Sequence, residues 1–153
     1  MIYPKAMARS PISTDVKEQY AADYREACLV LADSPKASAA LSRRTLQLLL
    51  REEARVKISN LSNEIDEVLA SGKLPSHLAE AIDAIRILGN FAAHPMKSTN
   101  TGEILDVEPG EADWTLDVLE GLFDFYFVQP AILRSKKDAL NKKLAEAGKP
   151  PMK

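Results

Sequence analysis

The sequence has one cysteine and two histidines, and this scarcity excludes several kinds of site. A lone Cys28 allows no disulfide within the chain and no CxxC metal motif, and its apolar helix face predicts a core position. A zinc ion held only by protein takes about four ligands, mostly Cys and His, so none is expected. Because a Gly-rich phosphate loop, an HExxH motif and a GxSxG motif are also missing, we predict no metal and no cofactor.

Long apolar runs are missing as well. No stretch of about 18 apolar residues occurs, so we expect no membrane-spanning helix. Residues 1–11 contain Lys5 and Arg9 without an apolar run, which is not the pattern of a secretory signal. The net charge is −2 and the isoelectric point about 5.7, so the whole chain has no basic footprint for nucleic acid. These absences predict a cytoplasmic protein with no membrane partner.

What is present favours helices. Apolar residues make up 46% of 153 residues, enough for one domain with its own core. We predict an all-α bundle of five or six helices over residues 15–147, after an extended arm at 1–14 and before a tail at 148–153. A long loop at 96–110 separates the fourth and fifth helices, and loops of this length tend to be functional. The apolar spacing predicts helices over about 16–33, 35–56, 60–71, 75–94, 111–129 and 131–147.

Local signals mark some of the helix boundaries. Asp15 and Glu18 have the spacing of a capping box at the start of the first helix. Ser34 followed by Pro35 predicts an N-cap and a first helical residue for the second helix. Pro130 lacks the N–H that a continuing helix needs, so we expect it to interrupt the fifth helix.

The end of the fourth helix carries the most distinctive polar residues. At about 100° per residue, Arg86, Asn90 and His94 fall on one face of this helix, beside a face of small and apolar residues. A glycine in a helix interior costs about 1 kcal/mol against alanine, so Gly89 indicates the close approach of another backbone. The polar row is either a functional site or a buried hydrogen-bonded network that holds the fold together. The spacing leaves both open.

Charges are segregated along the second half of the chain. Residues 101–127 contain eight acidic side chains and no basic one, whereas residues 134–153 contain seven basic side chains against Asp138 and Glu146. The basic surplus is either a solvated helix, steered onto the acidic stretch of another subunit, or a local site for a phosphate backbone.

Aromatic residues concentrate in the acidic stretch, which holds three of the four phenylalanines and the only tryptophan. A helix that is apolar on several faces is either buried centrally or shares a face with a second copy. The candidates for a dimer interface are therefore Gly89, Trp114, Phe123 and Tyr126.

Three segments together resemble a known family. Over about residues 15–130 the chain resembles the domain-of-unknown-function 4145 family, which is similar to the HEPN (higher eukaryotes and prokaryotes nucleotide-binding) helical domains. The resemblance implies a four- or five-helix bundle that usually forms a homodimer. For many such domains it also implies metal-independent RNA cleavage in toxin–antitoxin, restriction or phage-defence systems. The segments are Tyr24-Arg25-Glu26-Ala27, Ala39-Ala40-Leu41-Ser42-Arg43-Arg44-Thr45-Leu46 and Ile85-Arg86-Ile87-Leu88-Gly89-Asn90-Phe91-Ala92-Ala93-His94.

The HEPN pattern has an arginine, a polar residue and then a histidine near the end of a helix. Mapped onto this chain, Asn90 takes the polar position and His94 the histidine, while the arginine position falls on Gly89. Arg86 is the nearest substitute, about 12 Å before His94 along the axis at 1.5 Å per residue. This departure leaves open whether the chain is an enzyme.

Three functions follow as alternatives. The first is a non-catalytic or weakly catalytic module that associates with RNA or another nucleic acid, with Arg43 and Arg44 as weaker contact candidates. The second is an interaction protein whose homodimeric bundle scaffolds a protein partner. The third is a metal-independent endoribonuclease in which His94 is the base, Arg86 offsets the phosphorane charge and Asn90 orients the phosphate or imidazole.

Overall fold

The structure, a computed structural model, describes residues 9–93 and 109–153, and for residues 88–93 and 109 it describes the backbone alone. All regular structure in these residues is helical, which confirms the all-α prediction. Most of the predicted loop at 96–110 lies outside the described residues, and so does His94. The helices are α1 (Glu18–Val30), α2 (Pro35–Glu52), α3 (Leu61–Ala70), α4 (Ser76–Ala93), α5 (Pro109–Phe123), a π-helical segment (Asp124–Val128) and α6 (Gln129–Glu146).

Side-chain caps fix the starts of α2 and α3. The Ser34 hydroxyl accepts a hydrogen bond from the backbone N–H of Ala37 at 3.1 Å, and Pro35 is the first helical residue, as predicted. The Asn60 side chain accepts from the N–H of Asn63 at 2.9 Å. Each cap satisfies a backbone donor that has no partner within its own helix.

The start of α1 differs from the prediction. The helix begins at Glu18, after Lys17, without a side-chain cap. The Ser13 hydroxyl instead accepts a hydrogen bond from the backbone N–H of Asp15 at 3.1 Å. The predicted capping box is therefore wrong, because Asp15 belongs to a turn that precedes the helix.

The core lies where α1, α2, α4 and α5 meet. α1 packs on α2, α2 on α5 and α4 on α5, while α3 covers α4 and the end of α2. Burying a large apolar side chain stabilises a fold by about 1.5–3 kcal/mol, so this set supplies most of the driving force. The large, completely buried side chains of the core are Tyr20, Tyr24, Leu46, Leu49, Leu50, Ile65, Ile82, Ile85, Leu116, Leu119 and Leu122.

Helices α4 and α5 approach each other closely at Gly121. A Cβ atom at this position would lie 2.6 Å from Leu78 Cδ2, so an alanine here would require the end of the Leu78 side chain to shift. The sequence indicated such an approach at Gly89, where it stays a prediction.

The connection between α2 and α3 is held by a completely buried carboxylate. Glu64 Oε1 accepts hydrogen bonds from Arg51 Nε at 2.7 Å and from the backbone N–H of Ser59 at 2.9 Å. Arg51 also donates to the Ser59 carbonyl at 3.1 Å, so one arginine binds both the acid and the loop. Glu64 Oε2 is buried without a hydrogen-bond partner among the described residues.

Pro130 does not interrupt the fifth helix, so that prediction is wrong. α5, the π-helical segment and α6 follow one another without a break. In an α-helix the proline ring would collide with the carbonyl four residues earlier and remove a hydrogen bond. Just before Pro130 the turn widens, since the N–H of Gln129 donates to the carbonyl of Asp124, five residues back.

Helix α6 leaves the bundle. None of its 18 residues is buried, and none belongs to the core or to the partly buried residues around it. It ends before Gly148, whose φ of 69° lies in the left-handed region. The tail then returns along the helix, where the N–H of Met152 donates to Asn141 Oδ1 at 2.8 Å.

Candidate functional site

Of the predicted polar row on α4, the structure describes the side chain of Arg86 alone. Its guanidinium forms an ion pair with Asp66 on α3 and another, at 2.7 Å, with Asp83 on α4. Asn90 lies on α4 with its backbone described, and His94 lies outside the described residues. The structure thus places Arg86 at the α3–α4 contact, and the catalytic roles of the three residues stay predictions.

The two ion pairs bear on how Arg86 could act. Its side chain is 34% exposed, and two carboxylates offset its charge. Binding a phosphate would therefore require at least one of these pairs to open. Exposed ion pairs contribute about 0–1 kcal/mol, so the opening is inexpensive.

The two adjacent arginines of α2 face different surroundings. Arg44 is exposed, whereas Arg43 is partly buried. Burial lowers the pKa of the Arg43 guanidinium, and the charge of Glu111, at the start of α5, acts in the opposite direction. Arg43 therefore reaches toward the bundle and Arg44 toward solvent. Nucleic-acid binding by either remains a prediction.

The residues predicted to form a dimer interface differ in how far they are buried. Phe123 is 3% exposed and packs inside the core against Tyr20 and Tyr24. Trp114 is 42% exposed, and its indole N–H donates to the Ala81 carbonyl at 3.2 Å. Tyr126 is partly buried at the edge of the core. Trp114 and Tyr126 reach the surface of the chain, and their role in a dimer stays a prediction.

One dense cluster of charges in the described residues lies apart from the sites that the sequence predicted. Arg9, from the N-terminal arm, lies on α5 with its guanidinium against three carboxylates. Its Nη1 binds Asp113, its Nη2 binds Asp117, and Nη2 and Nε each lie 3.2 Å from Glu120 Oε1. These acids follow each other at spacings of four and three, which puts them on one helix face. We call Asp113, Asp117 and Glu120 the carboxylate trio.

The phenol of Tyr24 completes this site from beneath. Tyr24 is completely buried, and its hydroxyl donates to Glu120 Oε1 at 2.5 Å and accepts from Arg9 Nε at 3.0 Å. Burial is the main reason that the pKa of Tyr24 is raised, and the hydrogen bond to Glu120 adds to it. Burial alone lowers the pKa of Arg9, but its bonds to Asp117, Glu120 and Tyr24 raise it by more.

Cys28 lies one turn after Tyr24 and is 7% exposed, which confirms its predicted place in the core. Burial raises the pKa of its thiol, so it stays protonated and unreactive near neutral pH. Across residues 9–93 and 109–153, no group of three or more His, Cys, Asp or Glu side chains is arranged to hold a metal ion. In the same residues no helix is long and apolar enough to cross a membrane.

The trio itself carried a signal in the sequence, since its spacing gives one acidic helix face. The partner did not, because Arg9 lies 104 residues before Asp113 and nothing local links the two. The sequence points to Tyr24 only as part of a segment that resembles the family, whereas in the structure its hydroxyl forms the buried floor of the site.

Comparison with known proteins gives one result. The sequence profile of the family described as "Domain of unknown function (DUF4145)" matches residues 25–143. No curated protein and no solved structure matches the chain. The matched residues include the carboxylate trio and most of α6 but not Arg9.

Proposed function

Because the chain belongs to the domain-of-unknown-function 4145 family, whose description names no activity, we propose a function from the arrangement of its helices. The chain is a homodimeric protein-interaction module in which α6 of each protomer packs on the bundle of the other. One observation supports this most: α6 has no buried residue, while Ile132, Leu133 and Leu140 are 41%, 55% and 50% exposed. Large apolar side chains exposed along one element are typical of an interaction surface.

The leucines of α6 form a narrow seam. At about 100° per residue, Leu133, Leu140 and Leu144 lie within about 40° of one another, and Lys136 and Lys137 flank them. A seam of this width is typical of a helix that pairs with one other helix. Most helices in proteins are stabilised by tertiary packing. A helix that packs so little on the described part of its own chain therefore favours packing on another.

Charge favours a second copy of this chain as that partner. Residues 129–153 hold seven of the 20 basic residues and two of the 22 acidic ones, so residues 1–128 hold 13 basic and 20 acidic residues. A basic helix is attracted to an acidic bundle, and this attraction guides association. In a two-fold dimer the same contact forms twice, once for each α6.

Sedimentation of the purified chain tests the proposal. We expect a dimer at micromolar concentration for the wild type and a monomer for the double variant Leu133→Glu, Leu140→Glu, with unchanged helicity by circular dichroism. Ser135→Glu introduces a negative charge on the opposite side of α6 and should remain a dimer. A monomeric wild type, or a dimeric double variant, would contradict the proposal.

Association with RNA is the second candidate, supported by the seven basic residues of α6 and the tail. It ranks second because the exposed leucines have no role on a phosphate backbone. The ribonuclease hypothesis, with His94, Asn90 and Arg86, rests on the family resemblance, as does a role in defence or RNA processing.

One assay separates these alternatives. Labelled single-stranded RNA is incubated with the wild type and with His94→Ala, without metal and with a chelator present. Cleavage by the wild type alone identifies a metal-independent ribonuclease centred on His94. Salt-dependent binding without cleavage identifies a non-catalytic RNA module. If the chain forms a stable dimer and neither cleaves nor binds RNA, the interaction module is the function that remains.

A further inference from the structure

We propose that the carboxylate trio and Tyr24 form a binding site for an arginine side chain on an extended segment of another protein, and that Arg9 fills this site in the free chain. The N-terminal arm then occupies the site in place of the ligand. This inference does not rest on the proposed dimer, which uses the seam on α6.

The site is built to hold a cation rather than formed by a chance surface pairing. Its floor is the hydroxyl of a completely buried tyrosine, Tyr24, 3.0 Å from Arg9 Nε. The Arg9 side chain is only 13% exposed, although it comes from an arm outside the bundle. The site offers this one guanidinium four acceptors, three carboxylates and a phenol.

The acceptors are arranged for a guanidinium. The two terminal nitrogens of Arg9 bind Asp113 and Asp117, one turn apart on α5, while Nε lies between Tyr24 and Glu120. The planar fork of arginine presents donors in these separate directions. A lysine ammonium has three donors on a single atom and cannot reach all four acceptors. The site should therefore prefer arginine to lysine.

The ligand can leave and enter without unfolding the bundle. The carboxylates of Asp113, Asp117 and Glu120 are 48%, 59% and 44% exposed, so they form an open rim above the buried phenol. Exposed pairs of this kind are individually weak and are screened by salt. One guanidinium also leaves the trio with a surplus of negative charge, which attracts a further cation.

A neighbouring cavity specifies what should follow the arginine. Beside the trio, the arm runs over a cavity of about 310 Å³ lined by Pro11 and Ile12 of the arm and by Phe123 and Val128. Ile12 packs against the core from this side. The ligand class is thus an extended peptide with an apolar side chain about three residues after its arginine, as in Arg9-Ser10-Pro11-Ile12.

Peptide binding to the full-length Arg9→Ala variant tests the proposal. The probe is a synthetic peptide of residues 7–14, acetylated and amidated at its ends and titrated by calorimetry. We expect the variant to bind this peptide about 3- to 5-fold more tightly than the wild type, whose own Arg9 competes through a contact of less than about 1 kcal/mol. A peptide with lysine in place of the arginine should bind the variant at least about 10-fold more weakly.

Two further substitutions locate the binding. Adding Asp117→Asn to the Arg9→Ala variant should abolish it, whereas adding Glu26→Gln, an exposed acid on α1, should leave it unchanged. If Arg9→Ala does not fold, Arg9→Lys keeps the positive charge, and the arginine peptide should displace the lysine.

Three outcomes would overturn the proposal. A folded variant that binds the peptide no better than the wild type would show that the contact only tethers the arm. Equal affinity for the arginine and lysine peptides would show a general acidic patch. Binding that survives Asp117→Asn would place the peptide elsewhere. None of these outcomes changes the sedimentation of the chain, so failure here and failure of the proposed dimer are distinguishable.

Discussion

Two arginines of this chain meet carboxylates under opposite conditions. Arg51 reaches Glu64, 13 residues further along, and that carboxylate is completely buried. Arg9 reaches three carboxylates more than a hundred residues away, each of them about half exposed. The first contact joins neighbouring helices through the loop between them, and the second holds an arm to the outside of the bundle.

The difference shows that burial of the acid, rather than the number of ion pairs, decides what such a contact does. Removing the partner of a buried charge leaves that charge without compensation in a medium of low dielectric constant, which is strongly destabilising. Exposed carboxylates that lose their partner regain water instead. The Arg51 contact therefore stabilises the fold, and the Arg9 contact is exchangeable even though it has more acceptors.

The largest expected effect comes from Arg51→Ala. This change leaves the Glu64 carboxylate buried and unpaired, so the free energy of unfolding should fall by about 3 kcal/mol. Urea unfolding followed by circular dichroism measures the change. Arg44→Ala, on the same helix with its side chain exposed, is the matched control and should stay within about 0.5 kcal/mol of the wild type. Equal losses in the two variants would contradict this interpretation.

An intermediate effect is expected at alkaline pH, where buried tyrosines titrate. Burial raises the pKa of Tyr20 to about 12 and is the main reason that the pKa of Tyr24 is raised. A raised folded pKa gives stability that is present below the unfolded value of about 10 and is lost as the pH rises above it. Between about pH 9 and 11, the titration of each tyrosine should lower the free energy of unfolding by about 1 kcal/mol.

Comparison with Tyr24→Phe isolates the contribution of the Arg9 site. The variant should lose about 1 kcal/mol less over this pH range than the wild type. Urea unfolding at matched pH values gives, for each protein, the slope of the free energy of unfolding against pH. If the slopes are the same, Tyr24 does not titrate differently in the folded and unfolded chains.

The smallest expected effect belongs to Arg9→Ala. Its free energy of unfolding should fall by less than about 1 kcal/mol, and the difference should shrink between about 0.05 M and about 0.5 M salt because exposed charges are screened. Arg25→Ala, which removes a single exposed pair with Glu18, is the matched control. A loss as large as that of Arg51→Ala would mean that the arm is part of the folded core rather than an exchangeable ligand.

Much of the fold could be predicted because its signals are local. The period of apolar residues gives the helices, and Ser34 with Pro35 gives a helix start that the structure confirms. The errors arise where a local rule competes with packing. Asp15 lies in a turn that Ser13 organises, and the wider turn before Pro130 lets the helix continue where proline usually ends it.

The candidate sites were harder to predict because their partners come from other elements. Helical spacing groups Arg86 with Asn90 and His94, but it does not show that Asp66 on α3 binds the guanidinium. The acidic face of α5 is visible in the sequence, whereas its pairing with Arg9 depends on the path of the arm across the folded bundle. A single sequence shows which side chains share a helix face, but it does not show which residues of other elements pack against that face.

The π-helical segment also sets the direction in which α6 faces. A π turn places one residue more in a turn than an α-helix does, so everything after it is rotated by about 100° about the axis. Deleting one residue between Asp124 and Val128 would restore α-helical phase and turn the leucine seam to a different side of the bundle. The number of residues in this segment therefore determines, together with their side chains, which side of the bundle the leucine seam faces.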